Sequence, residues 1–313
     1  MSEILIVGGA GYIGGFLTDH LSDNNYDVTV YDNLLFESRY MKNNKFIYGD
    51  IRDQQKLSNI IDKYDVVIWL AGLVGDGACA VNPQLTSELN VDSVKWLVDN
   101  YKGKIIFPST CSVYGVNNNL IEEDAIPNPL SLYAATKLEA EKYVLSNSPN
   151  SLVFRLGTLF GLGDDHSRIR LDLVANILSM KAALGEPLTV FGGEQWRPLL
   201  HVRDVSTAIL HGIENNISGL YNLSYKNFRI SDLGKEIQRL IPDCVISYTN
   251  MKFEDLRNYK VKNEKYLHTG WNPVYNLEDG ILQISSLILE ERIKDTSDEI
   301  YSNAAFMRKL NDF

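Results

Sequence analysis

The sequence predicts an α/β protein: a doubly wound parallel sheet with a smaller mixed α/β second lobe. Three observations predict it. Short apolar runs alternate with helical patterns from the first residues, a glycine-rich turn joins the first run to the first helix, and the alternation loosens after Gly161. Runs that are apolar throughout suit strands buried on both faces, and strands alternating with helices form right-handed crossovers in a parallel sheet.

Ile4 to Val7 is the first such run, and Tyr12 to Ser22 is the helix after it, with Phe16, Leu17 and Leu21 turned inward. Val28 to Tyr31 and Phe46 to Tyr48 read as the second and third strands. Asp53 is placed to cap a helix through Ile61, its carboxylate beneath free backbone N–H groups. Asp65 to Leu70 is the fourth strand, and Asn82-Pro83 opens a long helix, since proline suits the first helical position. Lys104 to Ser109, Leu152 to Leu156 and Leu220 to Leu223 supply further strands. In the looser part, Arg168 to Leu184 reads as one helix and Leu188 to Phe191 as a short strand. Ser231 to Leu240 and Leu277 to Ile293 are amphipathic helices. The expected division is residues 1–165 plus about 197–225 in one domain, and about 166–196 plus 226–313 in the smaller lobe. The mixed-charge tail from Asp295 has no readable role.

A chain of 313 residues can bury a large core without staples. Its net charge of −10, from 30 Lys+Arg against 40 Asp+Glu, repels phosphate backbones and argues against nucleic acid as a partner. The three cysteines, 79, 111 and 244, are too scattered for a zinc site or a disulfide framework, so no metal is expected. No apolar run approaches the ~20 residues of a membrane span. The N-terminus lacks the basic flank and cleavage site of a signal peptide. The expectation is a soluble, cytoplasmic protein.

The first strand runs into Gly8-Gly9-Ala10-Gly11-Tyr12-Ile13-Gly14, which fits G-x-x-G-x-x-G through Gly8, Gly11 and Gly14, and G-x-G-x-x-G through Gly9, Gly11 and Gly14. Small residues let the backbone turn tightly and approach a pyrophosphate, which then sits at the helix N-terminus. Asp32 ends the second strand and is followed by Asn33. A carboxylate there accepts ribose hydroxyls and repels a 2′-phosphate, so NAD is favoured over NADP and the sheet reads as a Rossmann domain. Asp50-Ile51, after the third strand, is placed to hold the adenine, although Asp50 serves equally well as a turn residue.

Tyr133-Ala134-Ala135-Thr136-Lys137 puts a phenol and an ammonium one helical turn apart. A free tyrosine is a poor base at neutral pH, and a nearby ammonium with a positive nicotinamide lowers its pKa. Thr110, at the end of the strand in Phe107-Pro108-Ser109-Thr110-Cys111-Ser112-Val113-Tyr114-Gly115, faces the ligand crevice of such a sheet. Each piece is common by itself; the glycine turn, Thr110, Tyr133 and Lys137 in this order form a specific joint signal.

With GGAGYIG, Asp32, GDIRD, LAGLVG, PSTCSVYG, YAATK, FRLGTLFG, WRPLLHVRDV and DLRNY, nearly the whole chain resembles the extended short-chain dehydrogenases/reductases that act on nucleotide sugars. The resemblance implies Thr110, Tyr133 and Lys137 as catalytic residues. It implies Gly8, Gly11, Tyr12, Ile13, Gly14, Asp32, Asn33, Asp50, Ile51, Leu70 and Ala71, with Tyr133 and Lys137, at the cofactor. It also implies oxidation of a sugar hydroxyl, usually at C4, with hydride passing to NAD and a 4-keto intermediate. A homodimer or higher homo-oligomer is implied too, packed through helices near residues 86–100 and 131–146. The motifs are similar to those of GDP-heptose 4-dehydrogenases, though no residue specifies heptose.

The departures carry information as well. Family 4,6-dehydratases have Asp-Glu after the threonine, where this chain has Cys111-Ser112, so dehydration is not expected. Family 3,5-epimerases use a Cys and a His, but that Cys aligns with Ser112 rather than Cys111; Cys111 itself reads as a small buried hydrophobe. Trp69 stands where many members have histidine, and Thr158 where many have asparagine. Arg197 and Arg257 match family arginines that clamp a diphosphate, a task suited to a guanidinium fork. Arg168, Arg170 and Asn176 are further candidates for the substrate lobe, although solvated arginines, or ion pairs with Asp172 and Asp204, are the preferred reading of Arg168 and Arg170. His201 reads as a satisfied structural histidine. The expected activity is a 4-dehydrogenase or 4-epimerase of a UDP-, GDP- or dTDP-sugar in surface polysaccharide synthesis. The rival, from another class, is a catalytically silent NAD-binding regulator, which would have no need of an intact triad.

Overall fold

The computed structural model describes residues 2–191, 193–249 and 257–311. The continuous apolar runs assemble into a seven-stranded sheet. It contains β1 (Glu3–Val7), β2 (Asp27–Asp32), β3 (Lys45–Tyr48), β4 (Val66–Trp69) and β5 (Lys104–Thr110), with strands Leu152–Leu156 and Gly219–Leu223. All its pairings are parallel. The order across the sheet is Gly219–Leu223, Leu152–Leu156, β5, β4, β1, β2, β3. The winding therefore reverses between β1 and β4, which opens a crevice at their carboxyl ends, where such sheets bind ligands. Alternate side chains enter two separate cores. Leu5, Val7, Val67, Trp69, Ile105 and Phe107 pack on one face, and Ile4, Ile6, Val66, Ile68, Ile106 and Phe154 on the other.

The helices follow the pattern with local corrections. α1 (Gly14–Asp23) starts later than Tyr12 because residues 11–13 are still in the turn. Asp53 caps α2 (Gln54–Ser58) by accepting from Lys56 N, but the helix stops short of Ile61, and Ile61–Lys63 is a separate 3-10 turn. α3 (Asp76–Val81) has no counterpart in the sequence reading. Pro83 opens α4 (Pro83–Ser87) as expected, with Asn82 capping it, but a π-helical turn at Glu88–Asp92 breaks the expected long helix before α5 (Ser93–Asn100). That turn carries buried Asn90, whose amide accepts from Leu73 N at 2.8 Å and donates to Leu73 O at 2.9 Å. The loop after β4 is thereby fixed.

Beyond the large sheet, Thr158–Phe160, Trp196–His201 and Lys226–Arg229 form a three-stranded sheet. Leu188–Phe191 pairs with Ile246–Thr249, and Val116–Ile121 with Asn258–Val261. The helix expected from Arg168 begins only at Val174. Before it, Arg170 is tied to Asp172, and Leu171 N donates to Tyr301 O at 3.0 Å, so residues 168–173 serve tertiary contacts rather than helical ones. Ile230–Leu240 is helical as expected. The helix from Leu277 ends at Leu289, because Glu291 is left-handed at φ 55° and Arg292 N returns to Leu287 O. The tail, unreadable in sequence, folds into helix Asn303–Asn311, with Met307 buried in the core and Asn303 Nδ2 donating to Val74 O at 2.7 Å. Among the described residues no helix is long and apolar enough to cross a membrane.

Candidate active site

The glycine turn is shaped by packing at two positions and open at a third. Gly8 has φ +85°, and a Cβ there would meet Ala71 N at 2.5 Å; a Cβ on Gly14 would collide with the Gly9 backbone. A Cβ on Gly11 would meet only Gly8 O, at 3.5 Å, which leaves that side of the turn clear for close approach. Ile13, before α1, contributes no side-chain cap, so the helix start suits an anion. Leu70 N and Ala71 N both donate to Val7 O, at 2.8 and 2.9 Å, and carry the loop over the end of β1.

Asp32 ends β2 with one carboxylate oxygen accepting from Ala10 N at 3.0 Å and the other from Leu34 N at 2.8 Å. Burial raises its pKa, and these N–H groups oppose the rise. Asn33 Nδ2 reaches Asp50 at 3.4 Å, and Asp50 receives Arg52 through both carboxylate oxygens, at 3.0 and 2.8 Å. That guanidinium holds the Asp50 carboxyl below the usual range. Ile51 beside it is buried. An open glycine face, an uncapped helix start and a carboxylate ending β2 fit the pyrophosphate and ribose of NAD.

Tyr12 and Asn176 join this turn to the second lobe. The Tyr12 hydroxyl donates to Gly161 O at 2.6 Å. Asn176 accepts from Gly161 N at 2.8 Å and donates to Arg170 O at 2.8 Å, so its amide serves the backbone.

Thr110 is the last residue of β5 and is buried, with its Oγ1 accepting from Ser112 N at 3.1 Å. Helix α6 (Leu132–Asn147), capped by Ser131 on Ala134 N at 3.2 Å, carries Tyr133 and Lys137. The Thr110 hydroxyl lies against the Tyr133 phenol. Burial pushes the phenol up, Cys79 and Asp76 add to the rise, and Thr110 and Arg170 oppose it. Lys137 Nζ lies 4.0 Å from the centroid of the Phe107 ring. Burial pulls the ammonium down to about 7, against Glu141 one turn further along and Cys79. Burial thus dominates both groups and outweighs the ammonium's expected lowering of the phenol. Glu141 is itself fully committed: Arg155 donates to it at 2.6 Å and Ser109 Oγ at 2.6 Å.

Two predicted cations meet across the crevice. Arg197 Nη1 donates to Arg257 O at 2.5 Å, and Arg257 Nη1 donates to Ser112 Oγ at 3.0 Å and lies 3.3 Å from Asp76. Of the DLRNY motif, Asp255 and Leu256 lie outside the described residues. Arg170 forms a bidentate pair with Asp172 at 2.9 and 3.0 Å. Arg168 is placed elsewhere: it donates to Ile300 O at 3.1 Å and stacks 3.6 Å over the Phe36 ring, on the loop after β2. Asp204 receives Val274 N and Tyr275 N rather than an arginine. His201 bonds Gln283 at 2.8 Å and accepts from Arg203 N at 3.2 Å, the satisfied histidine expected. Cys111 is fully buried, with its thiol on Arg155 O at 3.1 Å and its pKa pushed up by burial. Trp69 is buried at the end of β4, and Thr158 opens the strand Thr158–Phe160. Sequence reasoning missed Asp76 and Cys79, both in α3 and both within electrostatic reach of Tyr133; the only local hint was an acid in a helical first turn.

A doubly wound sheet with a dinucleotide turn at its switch point and a Thr-Tyr-Lys set beside it defines an extended short-chain dehydrogenase/reductase. The chain belongs to the NAD dependent epimerase/dehydratase family, whose model matches residues 4–224. NAD is its cofactor. It is similar to a putative UDP-glucose 4-epimerase of Methanocaldococcus jannaschii, 28% identical over 306 residues, covering 90% of this chain and 96% of the relative. It is also similar to CDP-paratose 2-epimerase of Salmonella typhi, 26% identical with 89% and 97% covered. Among solved structures, UDP-glucose 4-epimerase of Thermotoga maritima with UDP-glucose superposes with a TM-score of 0.80 at 25% identity, covering 93% of this chain and 99% of the other.

Proposed function

We propose that the protein oxidises C4 of a nucleotide-activated sugar through a 4-keto species, as a 4-epimerase or a 4-dehydrogenase. The observation that carries this reading is Thr110 against the Tyr133 phenol at the end of β5, with Lys137 one turn further along the same helix. Bound NAD supplies the hydride acceptor and a positive charge. Tyr133 takes the proton of the C4 hydroxyl, Thr110 orients that hydroxyl, and Lys137 favours the phenolate. Arg197 and Arg257 receive the diphosphate, while Arg170 stays paired with Asp172 and Asn176 orders the backbone at Gly161 and Arg170. Arg168, packed on Phe36 and bonded to the Ile300 carbonyl, is not assigned to the sugar nucleotide. Residues 1–165 with about 197–225 carry NAD, and the remainder carries the sugar nucleotide. The protein works in the cytoplasm as a homodimer or higher homo-oligomer, packed through the helices near residues 86–100 and 131–146.

The relatives' names as 4-epimerases favour the epimerase outcome, and GDP-heptose remains within the substrate class. Cys111, buried and bonded to a backbone carbonyl, supports neither a dehydratase nor a 3,5-epimerase. The intact triad argues against a silent regulator. Incubating the protein with UDP-, GDP- and dTDP-sugars and reading the products by NMR tests the proposal. A C4 epimer or 4-keto sugar is expected from at least one, and no conversion of any would overturn it.

A further inference from the structure

Asp76 opens α3 in the loop that follows β4, and its carboxylate is shared between two parts of the site. One oxygen accepts from Ser131 Oγ at 2.6 Å, and the other lies 3.3 Å from Arg257 Nη1. Ser131 caps α6 through Ala134 N, next to Tyr133. Arg257 donates to Ser112 Oγ, and Ser112 N donates to Thr110 Oγ1. Arg197 joins through the Arg257 carbonyl. A single carboxylate therefore links the first turn of the catalytic helix, the cation pair and, through Ser112, the hydroxyl that faces the phenol.

We propose that Asp76 is a positioning residue of the reaction, holding the start of α6 and the Arg257 guanidinium in register with Tyr133. The role of Arg257 in this inference rests on the proposed function; the link to Tyr133 does not. A cap that only stabilised the helix could be any hydrogen-bonding residue. A charged one also acts on the phenol electrostatically. Among the described residues, the groups that act on that phenol include Asp76 and Cys79 from α3, Thr110 from β5 and Arg170 from the segment before the helix at Val174, with Lys137 on the same helix. Asp76 opposes ionisation of Tyr133, and Arg170 favours it.

The test uses the full chain loaded with NAD and labelled with 13C at tyrosine Cζ, the Tyr133 signal being assigned by its loss in Tyr133→Phe. Asp76→Asn keeps an oxygen for Ser131 but removes the charge, and should lower the titration midpoint of Tyr133 by roughly half a pH unit or more. Asp76→Glu should restore it. A midpoint that is unchanged or higher in Asp76→Asn overturns the proposal, and where both midpoints lie above the measurable range an unchanged KM for the sugar nucleotide overturns it. On a sugar nucleotide that the wild type converts, Asp76→Asn should also raise KM several-fold while NAD affinity holds. If the wild type converts none, the functional reading fails, and the NMR titration still decides the role of Asp76.

Discussion

Arg197 Nη1 donates to the backbone carbonyl of Arg257 at 2.5 Å, so two cations sixty positions apart act as one unit. Arg257 extends this unit to Ser112, two residues from Thr110. Arg197→Ala and Arg257→Ala should each weaken sugar-nucleotide affinity by ~1.5–3 kcal/mol, the scale of a charge-assisted hydrogen bond. NAD affinity should scarcely change. Calorimetric titration of both ligands checks this, and unchanged sugar-nucleotide binding in both variants would place the diphosphate elsewhere.

Tyr133→Phe should fold normally and lose at least ~10²-fold in turnover, the usual scale of a positioned acid–base group. Thr110, which lies against the phenol, should keep its bond from Ser112 N in the variant. Circular dichroism with steady-state rates separates folding from chemistry. Wild-type turnover would show that another group is the base.

Lys137 sits in the fold at a cost. The unfolded chain carries lysine at its ordinary 10.5, and the folded chain holds this one at about 7. Between those values the unfolded state binds more protons, so stability from this residue rises with pH across the window and is lost as pH falls through it. Lys137→Met should therefore be inactive yet melt higher than wild type at pH 7. The advantage should shrink as pH approaches 10.5. Thermal melts across that range check it; a lower melting temperature at pH 7 would show that the ammonium stabilises the fold.

Asp32 accepts from Ala10 N and Leu34 N, which hold its carboxylate at the end of β2. The protein should bind NAD more tightly than NADP. Asp32→Asn keeps an acceptor for one of these two N–H groups and removes the charge that repels a 2′-phosphate, and should narrow the preference. Tighter binding of NADP to the wild type would remove Asp32 from this role.

The large sheet was legible because its signals are local: continuous apolar runs, a glycine turn, the Asp53 cap and proline at the first position of α4. The Tyr133–Lys137 pair was legible for the same reason, since the two share one helical turn. Residues 168–173 were read into the helix that follows them although their apolar positions, 169, 171 and 173, alternate rather than repeat at helical spacing; Arg170, Leu171 and Asp172 spend their polar groups on one another and on residues 301 and 303. Arg168 was a candidate substrate cation whose preferred reading was a solvated or ion-paired arginine, and its actual partners, Phe36 and Ile300, come to it only in the fold. Asp76 was invisible because its partners, Ser131 and Arg257, lie far along the chain. Spacing reveals groups on one helix or strand; it does not reveal groups gathered from several.

The central claim is oxidation at C4 without loss of water. Its most direct test is a nucleotide sugar carrying deuterium at C4, incubated with the NAD-loaded protein and followed by mass spectrometry and NMR. The account predicts that deuterium leaves C4 for the cofactor. It should then return to the opposite face in an epimer of unchanged mass, or remain on the reduced cofactor beside a ketone lighter by ~3 Da, from loss of H and D. In both outcomes the C6 oxygen stays in the product. A product lighter by ~18 Da, or turnover that never moves the C4 deuterium, would contradict it.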